Sequence, residues 1–574
     1  VIAPHPRSGL LAPLVFLAAT APFLPALQAG FVGWDDGPNL VDNPHFRGLG
    51  WTQLRWMFTT TLLGHYIPLT WLSFALTHAL AGMAPFAYHL GNLLLHGANA
   101  AVFFLVGRRL LGAAFGVPRP AVPGPTVEWG AALAALVFAV HPLRAESVAW
   151  ATERRDLLSG LFYLLAVLVY LRGVQDQGVL AGRWRALCLL AFGAGLLSKS
   201  IVMTLPLTLL LLDVYPLRRP AGWRALLREK AGHLVLAAAG AAVALWAVHS
   251  VSGLTGYDRY GPPARLAMTA YSLWFYPARF VWPAELSPLY ELPPVVRLAD
   301  PRFAGPAIGV VVLAVLLLAL RRRWPGGLAA WLHSAIALGP VAGLVHAGHQ
   351  LAHDRYSYLS GLGFALLAGG ALAAGLRGAV GPRRLAWLRP AAALTAAVII
   401  GGLGAGAWRQ TGIWRDSVSL WRAAVAADPT CGLCAEHLAI ALVETGSGGA
   451  GRTAEAEDLL RRAIALRPDR PRPYYNLAAL LVGQRRFAEA ERVLQSYRRA
   501  FPGLADAPLR LGMLERDRGR PEAALPHLRE ALRLDPGSTR ARAELADAEA
   551  AVAAPASGRD RAGPPPASRA RTPR

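Results

Sequence analysis

The stretch "LVFLAATAPFLPALQAGFVGWDD" (14–36) runs without a charge until it ends on two adjacent carboxylates, Asp35 and Asp36. An apolar run of roughly 20 residues is long enough to cross a bilayer as a helix. It begins near Leu10, and no small-x-small cleavage pattern precedes the Trp-Asp-Asp segment, so it is expected to stay as a first span rather than be removed as a signal peptide. The acids then stand where the chain leaves the membrane, behind Trp34.

Such runs recur through the first 408 of 574 residues. Apolar residues make up 54% of the chain and charged residues only 16%, well below the quarter or so of a soluble protein. A polytopic membrane protein with a polar tail is expected. The net charge of +23 comes almost wholly from arginine, and the arginines cluster between apolar runs. That placement excludes a nucleic-acid binder and fits loops held on the cytoplasmic side beside anionic headgroups.

Eleven spans are expected, at about 10–29, 88–107, 129–141, 156–172, 186–198, 200–215, 231–250, 304–320, 328–345, 357–376 and 390–408. Arginine-rich segments follow the second, fourth, sixth, eighth and tenth. The positive-inside rule then puts the N-terminus in the cytoplasm, and the odd count puts the polar tail outside. Residues 66–82 and 267–283 are apolar but interrupted by proline, and are read as helices lying along the interface.

The tail repeats. Pro468, Pro502 and Pro536 are 34 residues apart, with Leu477, Ala490 and Tyr497 answered by Leu511, Ala524 and Ala531. That period with those small and large positions is the tetratricopeptide signature of stacked helix pairs. Three repeats and a preceding half-repeat (414–429) are expected, with "GSGGAG" (446–451) as a loop insertion. The expected division is a membrane domain over 1–408, repeats over 409–551, and a disordered basic tail over 552–574. Cys188 reads as a small core residue, and Cys431 and Cys434 as a CxxC that is neither a haem attachment nor a zinc site, with a disulfide left open.

On this topology Asp35 and Asp36 face outward in a long first loop, about 30–87. The plain reading is a solvated turn at Asp36-Gly37-Pro38-Asn39. The chemical one is a base that takes the proton of an attacking hydroxyl. Other outward loops add to it. "HPLRAESVAWATERRDLL" (141–158) brings His141, Glu146, Glu153, Arg154 and Arg155. "LLSKSIV" (196–202) brings Lys199, and "HAGHQLAHDRYSYLS" (346–360) brings His353, Asp354, Arg355 and Tyr356. Each alone is an ordinary headgroup loop. Together they hold carboxylates able to act as bases and cations able to grip a phosphate. His346, His349 and His353 have helical spacing, but no carboxylate completes a metal-ligand pattern, so no metal or other cofactor is indicated.

Taken as a set, these motifs resemble the transmembrane and tetratricopeptide-repeat O-mannosyltransferases, and more broadly the GT-C glycosyltransferase fold. The matching stretches are "FVGWDDGPNLVDNPH", "YIPLTWLSFAL", "YHLGNLLLHGANAAVFFLV", "HPLRAESVAWATERRDLLSGLFYLLA", "LLSKSIVMTLPLTLLLLD", "HDRYSYLSGLGF" and the repeat tail, in family order. The resemblance implies an all-α polytopic bundle with an extracytoplasmic repeat solenoid. It implies a polyprenyl-phosphate sugar donor, mannose or a similar monosaccharide, and a Ser/Thr hydroxyl of an extracytoplasmic protein as acceptor. Asp35 or Asp36 would be the base of a single inverting displacement. Lys199 and Arg355 would hold the donor phosphate, assisted by Arg154 or Arg155, with His141, Glu146, His353, Asp354 and Tyr356 in support. The family pattern has an acid after the lysine, where this chain has Ser200, and a Glu before "RY", where it has Asp354.

Two rival readings share the pattern: the same fold acting on a lipid or glycan acceptor, and a non-catalytic anchor whose repeats scaffold envelope assembly. A transporter is disfavoured by the lack of paired broken segments. Arginine-rich, alanine-rich usage points to a high-GC bacterium and its inner membrane.

Overall fold

A computed structural model describes residues 8–117, 124–251, 253–378, 388–445 and 450–553. Most of the expected basic tail, part of the glycine-rich insertion and most of the arginine segment near 377–389 lie outside them. The chain forms two compact units, 1–423 and 424–574.

The first unit is a helical bundle around Pro85–Ala114, a 30-residue helix about 45 Å long at 1.5 Å per residue. Helices Ser8–Thr20, Pro125–Ala139 and Arg154–Gln177 pack against it. Their small residues allow close approach. Helices Pro125–Ala139 and Leu362–Gly378 meet almost backbone to backbone, and a Cβ on Gly130 would lie 2.6 Å from the Gly369 carbonyl oxygen. A leucine, alanine and valine core fills the centre, with aromatic rings that include Phe103, Phe138, Tyr163 and Tyr170.

All eleven expected segments are helical, but they differ in length. Six helices are long and apolar enough to cross a membrane, and two more segments qualify only as pairs bent by 57° and 56°. The segments at 186–198, 200–215 and 328–345 form shorter helices, Gly182–Leu196, Leu205–Val214 and Pro325–Leu338. By length and composition the described residues therefore give six to eight spans, and the sequence count of eleven treated these short helices as equal to the long ones. The chain is a multi-pass membrane protein. Helices Ala231–His249 and Pro301–Ala319 bury only 11% of their apolar windows in the bundle, leaving side chains such as Val235, Leu245, Val311 and Val315 exposed as a lipid-facing helix requires. The two interrupted apolar runs form helices Pro68–Ala81 and Pro262–Val281. The only strands among the described residues are a short antiparallel pair, Tyr290–Glu291 and Gln350–Ala352.

The second unit consists of helix pairs Gly432–Glu444 with Ala450–Leu466, Arg472–Gly483 with Phe487–Ala500, and Asp506–Asp517 with Pro521–Leu534, closed by Thr539–Ala553. The prolines at 468, 502 and 536 each follow a helix end, as the period required. Leu477, Ala490, Tyr497, Leu511, Ala524 and Ala531 are all buried. Gly512 is needed because a Cβ there would lie 2.5 Å from Leu528 of the paired helix. Cys431 and Cys434 form a disulfide at the start of the first pair.

Candidate active site

The two adjacent acids have different surroundings. Asp36 is buried, and its carboxylate accepts three hydrogen bonds: from the Val32 amide at 3.0 Å, the Thr152 amide at 3.0 Å and the Thr152 hydroxyl at 2.5 Å. It joins the first loop to the turn at 151–153. Burial pushes its pKa up to about 6, against the three donors, and the neighbouring Asp35 charge adds to the rise. Asp35 has a side chain that is 25% exposed and one described ion partner, Arg155 Nη2, at 3.3 Å.

Behind Asp35 lies a buried lattice of charge. Glu153, fully buried, accepts from Arg155 Nε at 3.1 Å, from Arg155 Nη2 at closer range, and from Lys199 Nζ at 2.9 Å. Arg355 Nε lies 3.4 Å from the same carboxylate. Lys199 also donates to Asp156 at 2.6 Å. Glu146 accepts from the Arg355 amide at 2.9 Å and from its guanidinium, with His353 Nδ1 at 3.3 Å. His353 donates the Nδ1 proton to the Pro288 carbonyl at 2.9 Å. Three cations from three separate chain segments are thus held together by carboxylates, which offset the cost of burying them. Arg155 Nη1 is buried with no hydrogen-bond partner among the described residues.

An aromatic wall flanks the lattice. Trp34 stacks on Trp150 with ring centres 4.5 Å apart, and Arg355 lies over Trp150 at 5.5 Å and over Tyr356 at 5.2 Å. His65, half-buried in the first loop, feels the charges of Arg155 and Lys199; burial first, then those cations, holds it well below the usual imidazole range and hence neutral.

The structure thus gathers Asp35, Arg155, Lys199, Arg355, Glu146, His353 and Tyr356. It does not bring in three others. Arg154 turns the opposite way from Arg155: it donates to Asn92 at 2.9 Å, Thr77 at 2.7 Å, the Ser73 carbonyl at 3.1 Å and the Tyr88 carbonyl at 2.8 Å. His141 caps its own turn, accepting from the Leu143 amide at 3.2 Å and donating to the Phe280 carbonyl at 3.0 Å. Asp354 accepts from the Tyr290 hydroxyl at 3.0 Å. The histidine run is not helical: residues 350–352 form a strand, so His346, His349 and His353 share no helix face. Sequence reading missed Glu153 and Asp156 as the anchors of the cations, and His65 altogether.

Further along the bundle is a cavity of about 420 Å³, lined largely by apolar groups such as Phe103, Leu111, Leu164, Leu212 and Leu366. Its polar lining includes Arg323, Tyr215 and a buried triad in which Tyr163 donates to Thr208 at 2.9 Å beside His333 at 3.4 Å. Tyr163 follows Arg155 by two helical turns, about 12 Å along the axis.

Two Tetratricopeptide repeat models match, one over residues 449–509 and the other over 509–548. Protein O-mannosyl-transferase TMTC2 of Mus musculus is 36% identical over 141 residues, 23% of this chain and 15% of that protein. Tmtc1 of Drosophila melanogaster is 36% identical over 203 residues, 33% of this chain and 21% of that protein. TMTC3 of Homo sapiens is 30% identical over 190 residues, 31% of this chain and 18% of its own length. The curated relatives are protein O-mannosyl-transferases. The match to each of these spans about a fifth of the relative's length or less. A solved structure, of the APC/C hetero-tetramer Cut9–Hcn1, aligns with a TM-score of 0.23 at 14% identity over 88% of this chain and 99% of that one, too slight a likeness to bear on the fold.

Proposed function

We propose that the chain is a glycosyltransferase that moves a sugar, mannose, from a polyprenyl-phosphate donor to a Ser or Thr hydroxyl of an extracytoplasmic protein. The observation that carries it is the partly open Asp35 carboxylate paired with Arg155, one of three cations gathered on the buried Glu153, in a chain whose relatives are named O-mannosyl-transferases. Asp35 accepts the proton of the acceptor hydroxyl as its oxygen attacks the anomeric carbon. The bond from that carbon to the phosphate oxygen breaks in the same displacement, and the configuration inverts. Polyprenyl phosphate leaves, its charge met by Lys199, Arg155 and Arg355; Arg155 Nη1, buried with no hydrogen-bond partner among the described residues, is a spare donor that a phosphate oxygen would satisfy. Asp36 positions the loop through Thr152 and does not touch the reacting atoms. The apolar cavity further along the bundle has the chemistry to take a prenyl chain. The repeats select the acceptor, on the same side of a bacterial inner membrane as Asp35, with the N-terminus in the cytoplasm.

The test is release of polyprenyl phosphate from polyprenyl-phosphate mannose by the detergent-purified chain, with a Ser/Thr-rich peptide as acceptor. Asp35→Asn should fold normally and lose turnover by about a hundredfold or more, the usual loss with a general base. Lys199→Met should weaken donor binding. Turnover that survives in Asp35→Asn removes that residue as the base. A wild type silent with mannose and with other lipid-linked sugars sinks the transferase, leaving a membrane-anchored repeat scaffold.

A further inference from the structure

The Asp35 loop is held from two sides. On one side is the Asp36–Thr152 clamp. The other side is the segment in which the last long helix of the bundle ends and the next helix, Ser417–Ala427, begins. The Gly30 amide donates to the Arg415 carbonyl at 3.0 Å, and the Gly33 amide donates to the Ser417 hydroxyl at 2.7 Å. Trp34 packs against Trp421 with ring centres 4.9 Å apart, and Trp421 is fully buried. Trp414 stacks on Trp150 at 5.4 Å, the same indole that carries Trp34. The start of the helix is fixed by Asp416, which accepts from the Ser419 amide at 2.8 Å. Asp35 therefore lies between a clamp made 116 residues away in sequence and contacts made 384 residues away, all within the first unit.

We infer that Ser417 and Trp421 are positioning residues for the Asp35 loop, and that the helix carrying the chain onward to the repeats is a working part of the site. The physical reason is geometric. Asp35 contacts Arg155 at 3.3 Å and has no clamp of its own like that of Asp36. Its own backbone carbonyl accepts from the Asn39 amide at 3.0 Å, and the residues just before it are held by backbone bonds at 30, 32 and 33 and by the packing of Trp34. Misplacing a reacting group by about 1 Å can cost on the order of a hundredfold in rate. Because the loop and the helix constrain one another, ordering of either favours ordering of the other. Occupancy of the site and rigidity of the helix that leads into the repeats are thereby coupled. This reaches beyond the transferase reading and leans on it only for a kinetic readout.

The experiment uses the full chain in detergent and three variants: Ser417→Ala, Trp421→Ala and Trp421→Phe. Hydrogen exchange is followed in peptides covering residues 30–36 and 150–156. Loss of the hydroxyl or of the indole should speed exchange in 30–36 by about tenfold or more, since local opening sets that rate, with 150–156 unchanged. Trp421→Phe, which keeps a ring, should restore the wild-type pace. In the mannose-transfer assay the two alanine variants should lose about tenfold in kcat with donor KM unchanged, the signature of a misplaced reacting group rather than lost binding. Unmoved exchange at 30–36 in both alanine variants overturns the inference, as does faster exchange with kcat at its wild-type value. Should Trp421→Ala fail to fold, Ser417→Ala, which removes one hydroxyl, decides it. A wild type with no transfer defeats the proposed function, while exchange still decides the coupling of loop and helix.

Discussion

At the scale of single residues, the lesson is how far neighbours in sequence can differ in role. Asp35 and Asp36 carry the same side chain, yet one is partly open and ion-paired while the other is buried under three donors. The burial of Asp36 has a pH consequence. Its carboxyl goes from an ordinary value of 3.8 to about 6 on folding, so between those values the folded chain holds a proton that the unfolded chain has released. Stability from this group therefore falls as pH rises through the window from 3.8 to about 6, and levels off above it. Two pKa units correspond to about 3 kcal/mol. Melting temperatures measured across this window should fall with rising pH in the wild type by more than in Asp36→Asn, which has no proton to lose. Equal slopes would mean that the carboxyl is not desolvated. Arg154 and Arg155 show the same divergence. Successive residues on a helix point about 100° apart, so one guanidinium enters the charge lattice and the other braces helix Pro85–Ala114 through Asn92. Both arginines were legible in the sequence as candidates, but the helical phase that separates them depends on where the helix starts.

At the scale of elements, the sequence reading took charge as loop charge, whereas much of it lies on helices and cross-links them. The best-defined cross-link outside the site is a buried clasp at the far end of the bundle. Lys230, fully buried, lies 2.5 Å from Asp213 and 3.0 Å from Glu229. Arg219 donates to both oxygens of Glu229 at 2.8 Å and approaches Asp213 at 3.3 Å, and the Tyr170 hydroxyl donates to Asp213. The clasp ties helix Arg154–Gln177, the end of Leu205–Val214 and the start of Ala231–His249. Removing one partner of a buried pair leaves an uncompensated charge, at a cost of about 3–5 kcal/mol. Lys230→Met should therefore lower the melting temperature sharply, and Asp213→Leu combined with Lys230→Met should recover most of the loss. No recovery in the double variant would show that packing at Lys230, not charge, holds the elements. The sequence reading placed Arg219, Glu229 and Lys230 in a basic cytoplasmic loop because arginine density is visible in one dimension. Their partners, brought in from three helices, are not.

At the scale of the whole molecule, the repeats were the most legible part, since a 34-residue period survives any uncertainty about boundaries, and the residues it singled out are the buried ones. The span count was less so, because length alone separates a crossing helix from the shorter helices packed beside it. Orientation is where the two parts meet in an argument. Disulfides persist in oxidising compartments and are rare in the cytosol. The Cys431–Cys434 pair at the head of the repeats therefore offers a test of the proposed extracytoplasmic tail that does not depend on the arginine count. Cells would be lysed in acid and the thiols blocked with a mass-tagged maleimide, before and after reduction. If the tail is outside, reduction should add two tags to the wild-type chain and none to the Cys431→Ser/Cys434→Ser chain; Cys188, buried in the bundle, is common to both. If both cysteines take tags without reduction, the pair is reduced in the cell and the tail faces a reducing compartment. The arginine loops and the disulfide would then disagree. Because the Asp35 loop is bonded to Arg415 and Ser417, just ahead of the repeats, its carboxylate would face that compartment too, and the acceptor would have to be sought there.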